Sequence, residues 1–211
     1  VEKHVLDNGL TVLVKENHTN PIVTLGSFSL AGVRFEDPAK NGVANFTATM
    51  MPRGTRRRDA EEIAEATDSM GATYHCSANH TRIESEMTVL REDREDRLEP
   101  FTDILKNPRF DEDEMQKQRA LIEASILARA DNWNTDALDR MVDALFTEHP
   151  YGNPPTGTTE SLDRIVREDL AEHHETFVTP ASTVVTVFGD ITVPEALELV
   201  EDEFGDWEGG P

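Results

Sequence analysis

Val5-Leu6-Asp7-Asn8-Gly9-Leu10-Thr11-Val12-Leu13-Val14 sets an Asn-Gly pair between two apolar runs, the strongest short-range signal of a β-hairpin. The chain therefore opens as antiparallel sheet. Residues 22–30 alternate apolar and small polar side chains with the period of two that a third strand requires, and Ala31-Gly32 starts a loop. Over 41–51 the period becomes helical. Val43, Phe46 and Met50 share one face, Asn45, Ala48 and Thr49 lie together on the neighbouring one, and Pro52 with Gly54 ends the run. Asp59 followed by Glu62 predicts a capped second helix that stops at Gly71.

Alternation returns over 72–76 and 82–90, with polar Ser77 to Thr81 between, which reads as two more strands or a bent hairpin. Helices are predicted over 98–105, over 111–130 with Met115, Leu121, Ile122, Ile126 and Leu127 facing inward, and over 134–146 behind an Asn134-Thr135-Asp136 cap. Beyond the loop His149 to Pro155 come a short helix near Leu162, a helix over 169–177, a β-branched strand over 183–188 and a helix over 193–204. Strands in pairs and helices in runs predict an α+β fold, an antiparallel sheet with helices packed mainly on one face. No linker, repeat or low-complexity tract divides residues 1–211, so one domain is expected.

Acidic residues outnumber basic ones 42 to 20, for a net charge of −22. Such a surface repels a phosphate backbone, so no nucleic acid is expected as partner. The same excess, with basic residues that are mostly Arg, is also the composition of proteins kept hydrated at high salt, where ions screen the repulsion. No run approaches the roughly 18 apolar residues of a membrane span, and the N-terminus lacks a basic segment followed by an apolar one. A soluble segment is expected, cytoplasmic or periplasmic. The lone Cys76 closes no disulfide within the chain and excludes a zinc site built of four cysteines.

Leu6-x-Asn8-Gly9-Leu10-x-Val12 resembles the opening strand of the pitrilysin and insulinase family of zinc metallopeptidases, in its mitochondrial processing peptidase-like branch. Ala31-Gly32-Val33-Arg34-Phe35-Glu36, Gly42-Val43-Ala44, Met50 and Gly54-Thr55 follow in the family's order. Asn107-Pro108-x-Phe110, Tyr151-Gly152, Gly189-Asp190 and Phe204-Gly205-Asp206-Trp207 extend the resemblance over nearly the whole chain. It implies the N-terminal half of a two-domain peptidase subunit, the second homologous domain being absent from this chain. In the family, two such subunits or halves close like a clamshell around a peptide.

Active members carry His-x-x-Glu-His on the helix after the Gly-x-Ala segment, two imidazoles one turn apart holding zinc and the glutamate serving as general base. The aligned positions are Asn45, Ala48 and Thr49. Counting on without gaps puts the family's third ligand at Ser125 and a second acidic position at Gln118; a slip of one or two residues would bring in Glu123 instead. The resemblance thus implies a degenerate site, with no zinc and no catalytic residue of its own. It also implies that the edge strand that pairs with substrate backbone in active relatives falls on Cys76, Ser77, Ala78, Asn79 and His80. A covered or merely charged edge is the competing expectation.

His75, His80 and the adjacent His173 and His174 are the remaining ligand-type residues. Neighbouring helical side chains diverge by about 100°, so the last two make no chelating pair. Arg56-Arg57-Arg58 reads as a solvated loop beside acidic residues. The function expected from all this is a non-catalytic subunit that pairs with an active zinc-bearing homologue and helps enclose an extended peptide. A scaffold without peptide binding and a peptidase with an unrecognised site are the alternatives.

Overall fold

Side-chain alternation decides which side of the sheet is dry. In the computed structural model, which describes residues 1–91 and 99–209, Val12, Val14, Val23, Leu25, Ile83, Met87, Val89, Val185 and Val187 are buried. The intervening Lys15, Thr24, Glu86, Thr88 and Phe188 are exposed or half-exposed. These residues belong to β1 (Glu2–Val5), β2 (Thr11–Glu16), β3 (Ile22–Ser29), β4 (Thr73–Ala78), β5 (Ile83–Leu90) and β6 (Thr183–Gly189), in the spatial order β1-β2-β6-β3-β5-β4.

The helices among the described residues are α1 (Val43–Met50), α2 (Ala60–Ser69), α3 (Glu99–Lys106), α4 (Glu112–Asp131), α5 (Trp133–Leu145), α6 (Thr159–Leu162), α7 (Arg167–Phe177) and α8 (Val193–Phe204). Phe46 of α1, Phe101 and Ile104 of α3, Met115 of α4, Leu170 of α7 and Phe204 of α8 join the inward strand residues in one core. Each such side chain contributes on the order of 1.5–3 kcal/mol relative to exposure. The fold is α+β with its helices on the dry face, as the sequence predicts.

One pairing departs from the antiparallel expectation. β6 runs antiparallel to β3 but parallel to β2, so the sheet is mixed. β6 returns after most of the helices and inserts between two early strands. Its direction depends on that route and not on any local pattern. Its burial does match a central strand: Thr183, Val185, Thr186 and Val187 are all buried, on both faces.

Two local expectations also change. Leu121 and Leu127 are 62% and 63% exposed, because the inward stripe of α4 runs through Met115, Gln118, Ile122 and Ile126 and leaves both leucines off its axis. The cap of α5 is Asn132, whose side chain accepts from the backbone N–H groups of Asn134 and Thr135, so the helix starts at Trp133. Leu98, where the sequence places the start of α3, lies outside the described residues. By contrast, Asp59 and Glu62 form the reciprocal capping box expected of α2, with both bonds at 2.9 Å.

The opening hairpin is closed by the loop Asp7-Asn8-Gly9, with Gly9 at φ 91° and Leu6 bonded to Leu10 and to Gly9. Asn8 does more than turn the chain. Its Nδ2 donates to the carbonyls of Phe204 (2.7 Å) and Trp207 (3.2 Å), fastening the first hairpin to the end of α8. Replacing Asn8 by Ala leaves both carbonyls without that donor and also removes the Oδ1 that accepts from Leu10 N–H at 3.1 Å within the loop. We expect Asn8→Ala to lower unfolding free energy by about 1–2 kcal/mol in urea titrations, and a change within a few tenths would refute the tether.

Candidate functional site

Helix α1 lies between β4 on one side and α4 on the other, so the three segments that the resemblance singles out share one side of the molecule. Two features seat its amino end. Gly42 has φ 99°, and a Cβ there would come within 2.9 Å of the Gly157 backbone, so only glycine fits. Glu36 reaches forward from the preceding turn: one carboxylate oxygen accepts from Asn41 Nδ2 and Gly42 N–H, both at 2.9 Å, and the other from Ala44 N–H at 2.8 Å. A carboxylate on the free N–H groups of a helix start complements their partial positive charge. Burial still raises its pKa above the ordinary glutamate value, against the opposing effect of those three donors.

Along α1, Asn45 and Thr49 are half-buried and Ala48 has no exposed area. Thr49 Oγ1 donates to the Phe46 carbonyl at 2.9 Å, turned into its own helix. On α4, Gln118 is buried, Glu123 is half-buried and Ser125 is exposed, its Oγ donating to the Ile122 carbonyl at 2.7 Å. The two helices meet through Arg119, whose guanidinium stacks over the Phe46 ring at 5.3 Å and donates to the carbonyls of Leu162 and Ile165.

Among the described residues, β4 is an outer strand of the sheet and pairs only with β5. Cys76, Ser77 and Ala78 lie on it. Asn79 and His80 lie beyond it, in the turn, where their carbonyls accept from Val33 N–H (3.2 Å) and Arg34 N–H (3.0 Å). The backbone available for strand addition is therefore Thr73–Ala78. Burial pushes the Cys76 thiol up to about 11, so it is protonated at neutral pH and is no nucleophile. The His80 ring packs 5.1 Å from Tyr151, which in turn contacts Phe146 and His149. The sequence offers no periodicity that would announce this aromatic cluster.

Residues 11–159 match the family described as insulinase, peptidase family M16, and residues 164–211 match the peptidase M16 inactive domain. The chain belongs to the insulinase family. A zinc protease of Bacillus subtilis is 27% identical over 99% of this chain and 51% of its own length. The rat mitochondrial-processing peptidase β subunit is 26% identical over 95% of the chain and 41% of its own length. The crystal structure of a peptidase M16 inactive domain from Pseudomonas fluorescens superposes with a TM-score of 0.94 at 22% identity, over the whole chain and 51% of that protein. The chain thus spans about half the length of the curated relatives it matches.

Set against the family's metal chemistry, the α1 positions offer an amide, a methyl and a hydroxyl already committed to its own helix. This set does not fit zinc, which takes three or four His, Cys or carboxylate donors at about 2.0–2.3 Å. Among the described residues, no three His, Cys, Asp or Glu side chains gather closely enough to hold a metal ion. His173 and His174 are both buried and directed to different carbonyls, Nε2 of the first to Ala31 at 2.9 Å and of the second to Leu105 at 2.8 Å. Arg57 and Arg58 are both paired with Glu99, and Arg58 also approaches Asp103, so the basic run is tied to α3.

The sequence does not single out Glu36 as a cap, because it stands six residues before Gly42 while ordinary caps lie within three of the bonds they satisfy. Glu36→Ala removes the acceptor for three donors and is expected to cost about 1–3 kcal/mol of stability, readable as a shift in urea midpoint. Burial pushes His174 down to about 4 and lowers His173 as well. Both folded-state values lie below the unfolded one, so the unfolded chain binds more protons on acidification, and stability falls from about pH 6.5 towards pH 4. A His173→Gln/His174→Gln variant should show a flatter midpoint-against-pH curve over that window than the unsubstituted chain; parallel curves would contradict the assignment.

Proposed function

We propose that this domain is a non-catalytic member of the insulinase family that pairs with a zinc-bearing homologue and forms one wall of a chamber around an extended peptide. The observation that supports the proposal is on α1, which carries Asn45, a sealed Ala48 and a self-bonded Thr49 at the positions that the resemblance aligns with two zinc ligands and a general base. Hydrolysis needs a metal-activated water and a group to take its proton, so in this proposal both come from the partner. The peptide's contact with this domain is the outer edge of β4, where main-chain pairing needs no particular side chain.

A scaffold role without peptide binding draws on one observation, the capture of the Asn79 and His80 carbonyls by Val33 and Arg34, which shortens the open edge. Binding of an extended peptide separates the two. The acidic surface, at −22, also fits a high-salt habitat, in which case the melting temperature rises steeply with added salt.

Metal content and pairing are the decisive measurements. After incubation with zinc and dialysis, the chain is expected to retain well under one zinc, and chelator is expected to leave its melting temperature unchanged. A homologue from the same source that carries His-x-x-Glu-His is expected to co-purify with it on co-expression. One tightly held zinc that stabilises the fold would overturn the non-catalytic assignment, since a metal that binds only the native state must raise its stability. Absence of the homologue from the purified complex would overturn the pairing.

A further inference from the structure

The Arg56-Arg57-Arg58 run divides in space. Arg57 and Arg58 are bound to Glu99, but Arg56 does not join them: its backbone N–H donates to the Asn107 carbonyl at 3.1 Å, and its side chain lines a cleft of about 350 Å³. The cleft lies among the α3–α4 loop, α7 and the segment that follows α8. Its size is that of a small-molecule site, at the lower end of the usual range. Phe110, His174, Val178 and Trp207, all buried, supply its apolar and aromatic surface. The Phe110 and His174 rings meet edge-on at 5.9 Å.

Charge sets this cleft apart from the rest of the molecule. Its lining holds four basic residues, Arg56, Lys106, Arg109 and Arg167, and two acidic ones, Glu175 and Glu208, whereas the whole chain holds 20 against 42. Two of the four cations are neutralised from outside the lining, Arg109 by Asp111 and Lys106 by Asp206. The other two are not. Arg56 has no ion-pair partner among the described residues. Arg167 gives Nε to the Phe110 carbonyl and Nη2 to the Arg109 carbonyl, both at 3.1 Å, and its ion-pair contact among the described residues, to Glu168, is long at 4.0 Å. Neutral acceptors hold that guanidinium in place without cancelling its charge, so it is positioned before any anion arrives. The backbone it grips is fixed in turn. Arg109 N–H donates to the Gly54 carbonyl at 2.9 Å, and Phe110 has φ 55°, the only positive value outside glycine among the described residues. A bulky side chain adopts that conformation only when its surroundings impose it.

We propose that this cleft binds a small organic oxyanion, a phosphate ester or a carboxylate, with its charged group on Arg56 and Arg167 and its apolar body on Phe110 and Trp207. Guanidinium groups match both oxyanions through paired N–H donors, and the aromatic surface has no use for a bare ion. None of the lining residues lies on α1 or β4, so the site does not depend on the pairing proposed above.

Trp207 lines the cleft, while Trp133, the other tryptophan, is 82% exposed on α5. In a Trp133→Phe background, emission therefore reports the cleft. Phenyl phosphate is expected to change that emission saturably, with half-saturation below about 1 mM at low salt. Inorganic phosphate and benzyl alcohol each carry only half of its chemistry and are expected to bind at least tenfold more weakly. Benzoate in place of phenyl phosphate tells the two anions apart, the tighter binder giving the class that the site takes. Arg56→Gln is expected to weaken binding about tenfold without moving the melting temperature, since Arg56 is exposed. Arg53→Gln, also exposed but outside the lining, removes the same charge and is expected to leave binding unchanged. Glu175→Gln combined with Glu208→Gln removes the two repelling carboxylates and is expected to tighten it. Equal loss in the Arg53 and Arg56 variants, benzyl alcohol binding as tightly as phenyl phosphate, or no saturable change with either anion would each overturn the proposal.

Discussion

The seat of α1 is the constraint on which the rest of this domain depends. A helix of eight residues is too short to hold itself in water, so its position is imposed from outside. Phe46, Ala48 and Met50 are fully buried, while the Glu36 carboxylate holds the amino end and the Gly42–Gly157 approach fixes how close the 152–160 loop comes. Arg119 on α4 then bridges outward, from the Phe46 ring to the carbonyls at the end of α6. α1 thus orders the surrounding β4, α4 and loop, whatever its own half-buried positions contain.

Family fold and family chemistry can therefore separate. Of the three would-be site positions on α1, only Ala48 joins the core. Asn45 and Thr49 are only half-buried, and neither is among the side chains that close the core. Changing them alters what the helix offers to solvent far more than how it packs. The neighbouring machinery remains recognisable for the same reason: β4 still ends the sheet, and α4 still presents its mid-helix residues toward α1.

Local chemistry in the sequence specified most of the elements. The Asp59–Glu62 box, the helix over Val193–Phe204 and the alternation of β3 and β5 were readable because cap, period and breaker agreed at each. What escaped depended on partners remote in sequence. The parallel entry of β6 beside β2, the Glu36 cap and the Asn8 tether to Phe204 and Trp207 each join distant segments. The outward turn of Leu121 and Leu127 escaped for a different reason: a helix rich in apolar residues has more than one candidate stripe, and only its neighbours select between them. In the site itself, the residue types at 45, 48 and 49 were plain from the sequence. That Thr49 spends its hydroxyl on its own helix, and that Asn79 and His80 are bound into the turn, needed three dimensions.

The identity of the residue at position 48 follows from its burial. Ala48 has no exposed area, so a glutamate there would carry its carboxylate into the packed side of the helix. Beside a bound zinc such a group has a cationic environment and a water to hold. Without one it is a buried unpaired charge, among the most destabilising changes a core can receive. Imidazoles at 45 and 49 would likewise lose the partner that fixes their orientation. In a domain without the metal, as proposed for this one, stability alone would favour a small apolar residue at 48 and short polar ones beside it. Ala48, Asn45 and Thr49 are such a set.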